Sequence, residues 1–166
     1  GFRATGQSPA LWDAVTGQIR ALPEFEVEPG RTLVPLKFEP KQSFFVVFRK
    51  ADAERPNPTK NFADWKSLVA LSGPWEVSFD PTWGGPQKVV FDTLLDWTQH
   101  ADARIRYYSG TATYSCRFEI SILNSPIFLD LGRVKNLARV RLNGKELGVV
   151  WTAPWRVDIT DAVKPN

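Results

Sequence analysis

The chain has 166 residues and a net charge of +3, from 21 basic and 18 acidic side chains. This length is enough for one compact domain or two small ones, and it excludes a large catalytic barrel. The basic residues are scattered rather than clustered, which argues against a nucleic-acid partner. No apolar run approaches the roughly 20 residues that a bilayer span needs, so no membrane partner is expected either.

One histidine, His100, and one cysteine, Cys116, limit the chemistry that the side chains can provide. A single cysteine forms no internal disulfide and cannot complete a cysteine-ligated zinc site. Serine–histidine or cysteine–histidine catalysis would depend on His100, which lies in a polar stretch without a nearby nucleophile. We interpret His100 as a solvated loop residue, so any catalysis would have to use carboxylates.

The content of 13 Pro, 11 Gly, 7 Trp and 11 Phe is typical of short strands joined by frequent turns. Residues 9–13 predict a short strand that enters a turn. The apolar runs Leu33–Phe38 and Phe44–Phe48 predict two strands that pair with each other. Because the second run does not alternate, we expect a strand that is covered on both faces.

The apolar pattern stops in 51–64, where polar residues and two prolines predict a linker. Alternation then returns, and it predicts a half-buried strand over Trp75–Phe79 and another over Lys88–Phe91. Trp75 and Trp97 lie within apolar patterns, so we expect both in the core.

The clearest alternation, Tyr114–Ile122, predicts a nine-residue strand with one exposed face and Cys116 on the inner face, as a small core hydrophobe. Further strands are predicted at Ile127–Leu131 and Arg156–Ile159. Asn143-Gly144 separates two more strand patterns and predicts a hairpin, because both central residues of a type I′ turn need positive φ. Together these elements predict an all-β, antiparallel β-sandwich.

Carboxylates are the candidates for catalysis or metal binding. Cleavage of a glycosidic bond needs two carboxyl groups about 5–9.5 Å apart. The sequence offers two pairs near strand ends: Asp92 with Asp96, and Asp158 with Asp161. At such positions Asp is usually a turn or cap residue, so we favour structural roles. A structural calcium ion could use loop carbonyls with any of three residues, although no calcium-loop spacing is present: Asp80, Asp130 and Asp158.

Five aromatic residues next to predicted turns are candidate carbohydrate-binding residues: Trp83, Tyr107, Tyr108, Trp151 and Trp155. A ring on a loop can offer its apolar face to the C–H side of a sugar while nearby polar groups bind the hydroxyls. The alternative is that these rings fill the ends of the sandwich or a contact with a neighbouring domain.

Four segments, in this order, resemble the distal part of bacterial α-L-rhamnosidases of glycoside hydrolase family 106: LSGPWEVSFDPTWGGP (71–86), VVFDTLLDW (89–97), IRYYSGTATYSCRFEI (105–120) and FLDLGRVKNLARVRLNGKELGVVWTAPWRVDITDAVK (128–164). The second half is also similar to the sugar-binding sandwich of glycoside hydrolase family 2. Residues 11–19 and 31–50 resemble the β-domain that follows the family 106 barrel.

The resemblance implies that 1–50 end one β-domain, that 51–64 link it to the next, and that 65–166 form a galactose-binding-like jelly roll without its final strand. The catalytic carboxylates and the calcium ion of that family belong to its barrel, so neither a catalytic residue nor a cofactor is implied for this chain. The implied partners are an oligo- or polysaccharide and the rest of a parent enzyme, in the periplasm or outside the cell.

The expected function is therefore that of a non-catalytic ancillary region of an α-L-rhamnosidase-like enzyme that acts on plant polysaccharide. Such a region would support the barrel and contact substrate. An autonomous carbohydrate-binding module and a structural spacer are the alternatives.

Overall fold

Every strand pair in the computed structural model is antiparallel, and the model describes residues 1–50, 59–121 and 125–164. Within these ranges, helix is limited to α1 (Ala103–Arg106) and three single 3₁₀ turns. The prediction of an all-β, antiparallel fold is confirmed. None of the helices in the described part of the chain has the length and apolar composition that a bilayer crossing requires.

The strands are β1 Gln7–Trp12, β2 Ile19–Ala21, β3 Glu26–Glu28, β4 Arg31–Leu33, β5 Phe45–Lys50, β6 Trp75–Phe79, β7 Val89–Phe91, β8 Ala112–Ser115, β9 Phe128–Asp130, β10 Ala138–Leu142, β11 Lys145–Val150 and β12 Arg156–Asp158.

The chain forms two compact units. Unit 1 consists of Gly1–Trp65 with Ile122–Asn166, and unit 2 consists of Lys66–Ser121. The domain bounds expected from the resemblance, 1–50, 51–64 and 65–166, differ from these units and stay a prediction.

In unit 1, β1 is the central strand of a three-stranded sheet in the order β2–β1–β5. The predicted strand at residues 9–13 is confirmed, and its turn closes when the amide of Gly17 donates to the carbonyl of Asp13. The predicted pairing of Leu33–Phe38 with Phe44–Phe48 is wrong. Instead, β5 pairs with β1 and β4 pairs with β3, and β4 ends at Leu33, two residues before Pro35, which cannot donate to a ladder.

The prediction that residues 44–48 are covered on both faces is also wrong for the described part of the chain. Phe45 of β5 is 63% exposed, and the next three residues are only half-buried. The apolar run therefore belongs to a strand with one packed face, while the ring of Phe45 on the other face is exposed to solvent.

Asn61 is a buried polar residue that joins separate segments of unit 1. Its side chain is 3% exposed. Its Oδ1 accepts from the amide of Glu24 at 3.0 Å, and its Nδ2 donates to the carbonyls of Glu24 and Pro35 at 2.7 and 3.1 Å. Next to it, Phe62 packs against Phe44 with a centroid distance of 6.2 Å. Within the described part of the predicted linker, 59–64, Asn61 and Phe62 thus pack into unit 1 and the other residues are exposed, while 51–58 lie outside the described residues.

The hairpin of β10 and β11 forms as predicted. Its turn residues Asn143 and Gly144 have φ of 50° and 83°, the positive values that a type I′ turn requires. The side-chain Nδ2 of Asn143 also donates to the carbonyl of Ala162 at 2.9 Å, which connects the hairpin to the last 3₁₀ turn. The predicted strands at 127–131 and 156–159 are present as β9 and β12, which pair with each other.

Unit 2 contains a three-stranded sheet in the order β7–β6–β8 and its own core. Five buried side chains form this core: Val77, Phe79, Phe91, Ile105 and Tyr108. Trp75 and Trp97 pack against them, which confirms the expected core placement of both. Alternation along β6 explains the cluster, because every second residue of a strand faces the same side.

The predicted nine-residue strand at Tyr114–Ile122 is wrong in length. The ladder with β6 ends at Ser115, although exposed and half-buried residues continue to alternate through Ser121. Ile122 lies outside the described residues. Cys116 follows the end of β8 and is only half-buried, so its predicted place in the core is not borne out. Burial raises the pKa of its thiol, which keeps it protonated at neutral pH.

Candidate functional site

Two of the candidate rings lie on loops of unit 2 and face solvent. Trp83 is 72% exposed and Tyr107 is 77% exposed. Trp83 ends a 3₁₀ turn over Pro81–Trp83 whose N-cap is Asp80, and Tyr107 directly follows α1. Both rings are therefore available to a ligand, and their role in carbohydrate binding stays a prediction.

Tyr108 does not share this position. It is 9% exposed and belongs to the core of unit 2, with its ring 5.0 Å from that of Phe79. Its hydroxyl accepts from the amide of Asp80 at 3.2 Å and donates to the carbonyl of Thr111 at the same distance. The proposal of Tyr108 as a surface carbohydrate contact is corrected, because its ring and its hydroxyl are both used internally.

Two glycines explain how Tyr108 fits between the loops. A Cβ atom at Gly85 would lie 2.8 Å from a Tyr108 ring carbon, and one at Gly110 would lie 2.7 Å from the Tyr108 hydroxyl. Only residues without a side chain allow this approach. The loop that contains Gly85 and the loop that contains Gly110 thus both pack against the buried ring of Tyr108.

The remaining two candidates belong to unit 1, in the connection between β11 and β12. Trp151 is 59% exposed, directly after β11. Trp155 is half-buried, and its carbonyl accepts from the amide of Leu131 at 2.7 Å, which extends the β9–β12 ladder by one bond. The backbone of Trp155 is therefore fixed to the sheet, and the residue lines a cavity.

This cavity, the Trp155 cleft, has a volume of about 200 Å³. Its lining residues combine one tryptophan, two prolines, two acidic residues and one arginine, a mixture of apolar and polar types. It is lined by Glu39, Pro40, Asp130, Gly132, Ala153, Pro154, Trp155 and Arg156.

Arg156 is the centre of the polar side of the cleft. Its Nη1 and Nη2 contact the two carboxylate oxygens of Glu39 at 2.9 and 3.3 Å, and its Nη2 contacts Asp130 at 3.4 Å. Arg156 lies opposite Asp130 in the β9–β12 ladder, which explains this second contact. Burial works to lower the pKa of Arg156, but hydrogen bonds to Glu39 and Asp130 outweigh burial and raise it, so the guanidinium is charged.

Glu39 reaches Arg156 from a turn between β4 and β5. Its amide donates to the side chain of Gln42, and its carbonyl accepts from the amide of Gln42, both at 3.1 Å. The sequence analysis missed Glu39 and Arg156 as site residues. They are 117 positions apart, and no local pattern links them.

One carboxylate of each proposed catalytic pair caps a local turn. Asp96 and Asp158 each accept hydrogen bonds from the amide and hydroxyl of the Thr two residues later, Thr98 and Thr160. This confirms the turn role expected of these two aspartates.

The three calcium candidates also have local partners. Asp80 accepts from the amide of Thr82, Asp130 accepts from the amide of Gly132, and Asp158 binds Thr160. No group of three His, Cys, Asp or Glu side chains that could hold a metal occurs among the residues 1–50, 59–121 and 125–164.

His100 is packed rather than solvated, so that expectation is corrected. Its ring stacks on Phe91 at a centroid distance of 5.2 Å, and its Nδ1 accepts from the amide of Asp102 at 3.0 Å. The hydrogen bond requires an unprotonated Nδ1. His100 therefore helps to shape the start of α1, for which Asp102 is the N-cap.

The carboxyl group of Asp102 provides a pH-dependent test of this local structure. Hydrogen bonds from the side chain and the amide of Arg104 lower the pKa of Asp102 to about 2. Because the folded pKa is depressed, the stabilisation is present above the unfolded value near 4 and is lost as the pH falls through about 2. We expect carboxyl ¹³C shifts of Asp102 to titrate near 2, and Arg104→Ala to move the midpoint toward the unfolded value. A midpoint near the unfolded value in the unmodified chain would contradict this assignment.

The chain is similar to a solved structure and to a further protein sequence. No family model matches the chain. The solved structure of a rhamnosidase from Novosphingobium sp. PP1Y matches with a TM-score of 0.86 and 37% identity, over 98% of this chain and 16% of that one. A putative beta-glucuronidase from Formosa agariphila is 42% identical over 100 residues, which are 58% of this chain and 9% of that protein.

Both relatives are named as glycosidases, and this chain spans only a small part of each. The expected relation to glycoside hydrolases is confirmed at this level. The chain is related to a region of glycoside hydrolases that are much longer than itself.

Proposed function

We propose that the chain is a non-catalytic ancillary β-region of a larger α-L-rhamnosidase-like enzyme, and that it contacts saccharide at the Trp155 cleft. The observation that carries this proposal is the match to a rhamnosidase along 98% of this chain but only 16% of the rhamnosidase. The proposal includes the family 106 relationship, a galactose-binding-like jelly roll, a plant polysaccharide as substrate, and a periplasmic or extracellular location.

The cleft supports saccharide contact without catalysis. Trp155 offers a ring for the C–H face of a sugar, and Asp130 offers carboxylate oxygens for its hydroxyls. Both lining carboxylates, Glu39 and Asp130, contact one guanidinium. In glycoside hydrolysis two carboxyl groups act directly on the glycosidic bond, whereas both of these carboxylates are engaged by Arg156.

An autonomous carbohydrate-binding module is the second candidate, and the exposure of Trp83 and Tyr107 favours it. Rings that are 72% and 77% exposed could bind a glycan face without help from another domain. A structural spacer would show neither of these saccharide contacts.

Titration of the purified chain with plant oligosaccharides, followed by tryptophan emission, tests the proposal. We expect a saturable change, and we expect Trp155→Ala to weaken binding about tenfold or more, because the stacking surface is lost. Trp83→Ala is the matched control and should keep the affinity. If Trp83→Ala removes the response and Trp155→Ala does not, the module is favoured instead. The absence of a saturable response to any oligosaccharide would contradict saccharide contact.

The same preparation tests the lack of catalysis. We expect no release from an aryl α-L-rhamnoside above the rate without protein. Hydrolysis at an enzyme-like rate would contradict the non-catalytic assignment.

A further inference from the structure

The lining of the Trp155 cleft has the opposite charge to the chain as a whole. Two carboxylates, Glu39 and Asp130, face one guanidinium, Arg156, which is the one cationic side chain among the lining residues. The cleft thus carries a net charge of about −1 when all three groups are ionised. The whole chain carries +3, so its long-range field would favour an anionic ligand.

The guanidinium of Arg156 already forms hydrogen bonds with Glu39. Its two terminal nitrogens bind both oxygens of Glu39, and the side chains are only 20% and 33% exposed. A bidentate pair of this kind has a fixed geometry. Glu39 and Asp130 engage three of the five N–H donors of the guanidinium, so a sugar carboxylate that reached Arg156 would lie beside two carboxylates that are already there.

Asp130 is more exposed than Glu39 and is therefore more accessible to a ligand. Its side chain is 60% exposed, and its contact with Arg156 is long, at 3.4 Å. Its Oδ1 accepts from the amide of Gly132 at 2.8 Å, which fixes the carboxylate on the sheet edge. A carboxylate can accept about four hydrogen bonds, so Asp130 keeps capacity for hydroxyl donors.

From these observations we infer that the Trp155 cleft selects neutral saccharides over uronic acids. In this arrangement Asp130 accepts hydrogen bonds from sugar hydroxyls, Trp155 stacks on the ring, and the Arg156–Glu39 pair is the positioning element. A uronic acid places its carboxylate beside Asp130 and Glu39 and is repelled. The inference rests on the proposed saccharide contact and adds the chemical class of the ligand.

The test uses two probes that differ at one group of each uronic acid, which is a carboxylate in one probe and a primary alcohol in the other. One is a set of rhamnogalacturonan oligosaccharides, and the other is the same set after reduction of its carboxyl groups to alcohols. We expect the reduced set to bind about tenfold tighter or more, measured by tryptophan emission and by amide shifts of residues 130–132 and 155–156. Because the net charge of the chain favours the acidic set, long-range attraction would not produce such a preference.

Asp130→Asn tests the origin of the preference, since it removes one charge and keeps the shape and one acceptor oxygen. We expect the ratio of the two affinities to fall several-fold, whereas Asp161→Asn, an exposed carboxylate outside the cleft lining, leaves the ratio unchanged. Raised salt should also lower the ratio in the unmodified chain, a measurement that needs no variant.

The outcomes separate the inference from the proposed function. Equal binding of the two sets, or an unchanged ratio in Asp130→Asn, overturns the inference and leaves the saccharide contact standing. No response to either set overturns both.

Discussion

Replacement of Asn61 by alanine is expected to lower the free energy of unfolding by about 3 kcal/mol. The Asn61 side chain is almost fully buried and makes three hydrogen bonds to the main chain of Glu24 and Pro35. Alanine would leave one amide and one carbonyl of Glu24, and the carbonyl of Pro35, without this partner. A buried polar group without a partner costs roughly 1–3 kcal/mol, which makes the expected loss large for one side chain.

Urea denaturation of the variant and of Lys60→Ala measures this effect. Lys60 is the exposed neighbour of Asn61, so its removal should change stability by less than about 0.5 kcal/mol. Asn61→Asp keeps the acceptor but turns a carboxylate oxygen toward two carbonyls, and it should be at least as destabilising as alanine. A loss below about 1 kcal/mol in Asn61→Ala would show that water or rearrangement replaces the lost bonds.

Ile105→Ala is expected to cost about 3 kcal/mol, the usual range for removing a branched side chain from a core. Ile105 is 0% exposed and contacts the cluster formed by Val77, Phe79, Phe91 and Tyr108. Four residues are too few to hold a helix without packing, so α1 depends on this side chain.

Chemical denaturation with Ile105→Val as the matched control checks this expectation. Valine removes one methylene and should cost about 1 kcal/mol. Hydrogen exchange at the amide of Tyr108, which donates to the carbonyl of Ile105, should accelerate more in the alanine variant than in the valine variant. Equal losses in the two variants would mean that Ile105 does not fill the core as described.

Local sequence signals predicted the local parts of the fold. Asn143 and Gly144 specify their turn through their own φ values, and the alternation of Trp75–Phe79 specifies which face of β6 is buried. Both depend on residues that are neighbours in sequence. The pairing partner of a strand could not be predicted in this way, because an apolar run such as Phe44–Phe48 can pair with any strand that has a free edge. The actual partner of β5 is β1, more than thirty residues earlier.

The same distinction explains the candidate site. Trp155 could be found from the sequence because a ring next to a proline turn is a local feature. The pair of Glu39 and Arg156 could not, since only the fold brings them within 2.9 Å. Tyr107 and Tyr108 are adjacent and chemically identical, yet one is exposed and the other is core. The signal that could have separated them was the presence of Gly85 and Gly110, two residues able to accept a ring at close range.

The contact of Tyr108 with these glycines has a consequence for divergence among relatives. Because a methyl group at residue 85 or 110 would collide with the ring, the three positions are constrained to change together rather than one at a time. A homologue with a larger residue at 110 should carry a smaller one in place of the tyrosine, whereas a larger residue at 85 would also need a shift at Phe79, whose Cβ would lie 2.6 Å away. Covariation at these three columns would therefore mark which relatives retain this loop arrangement.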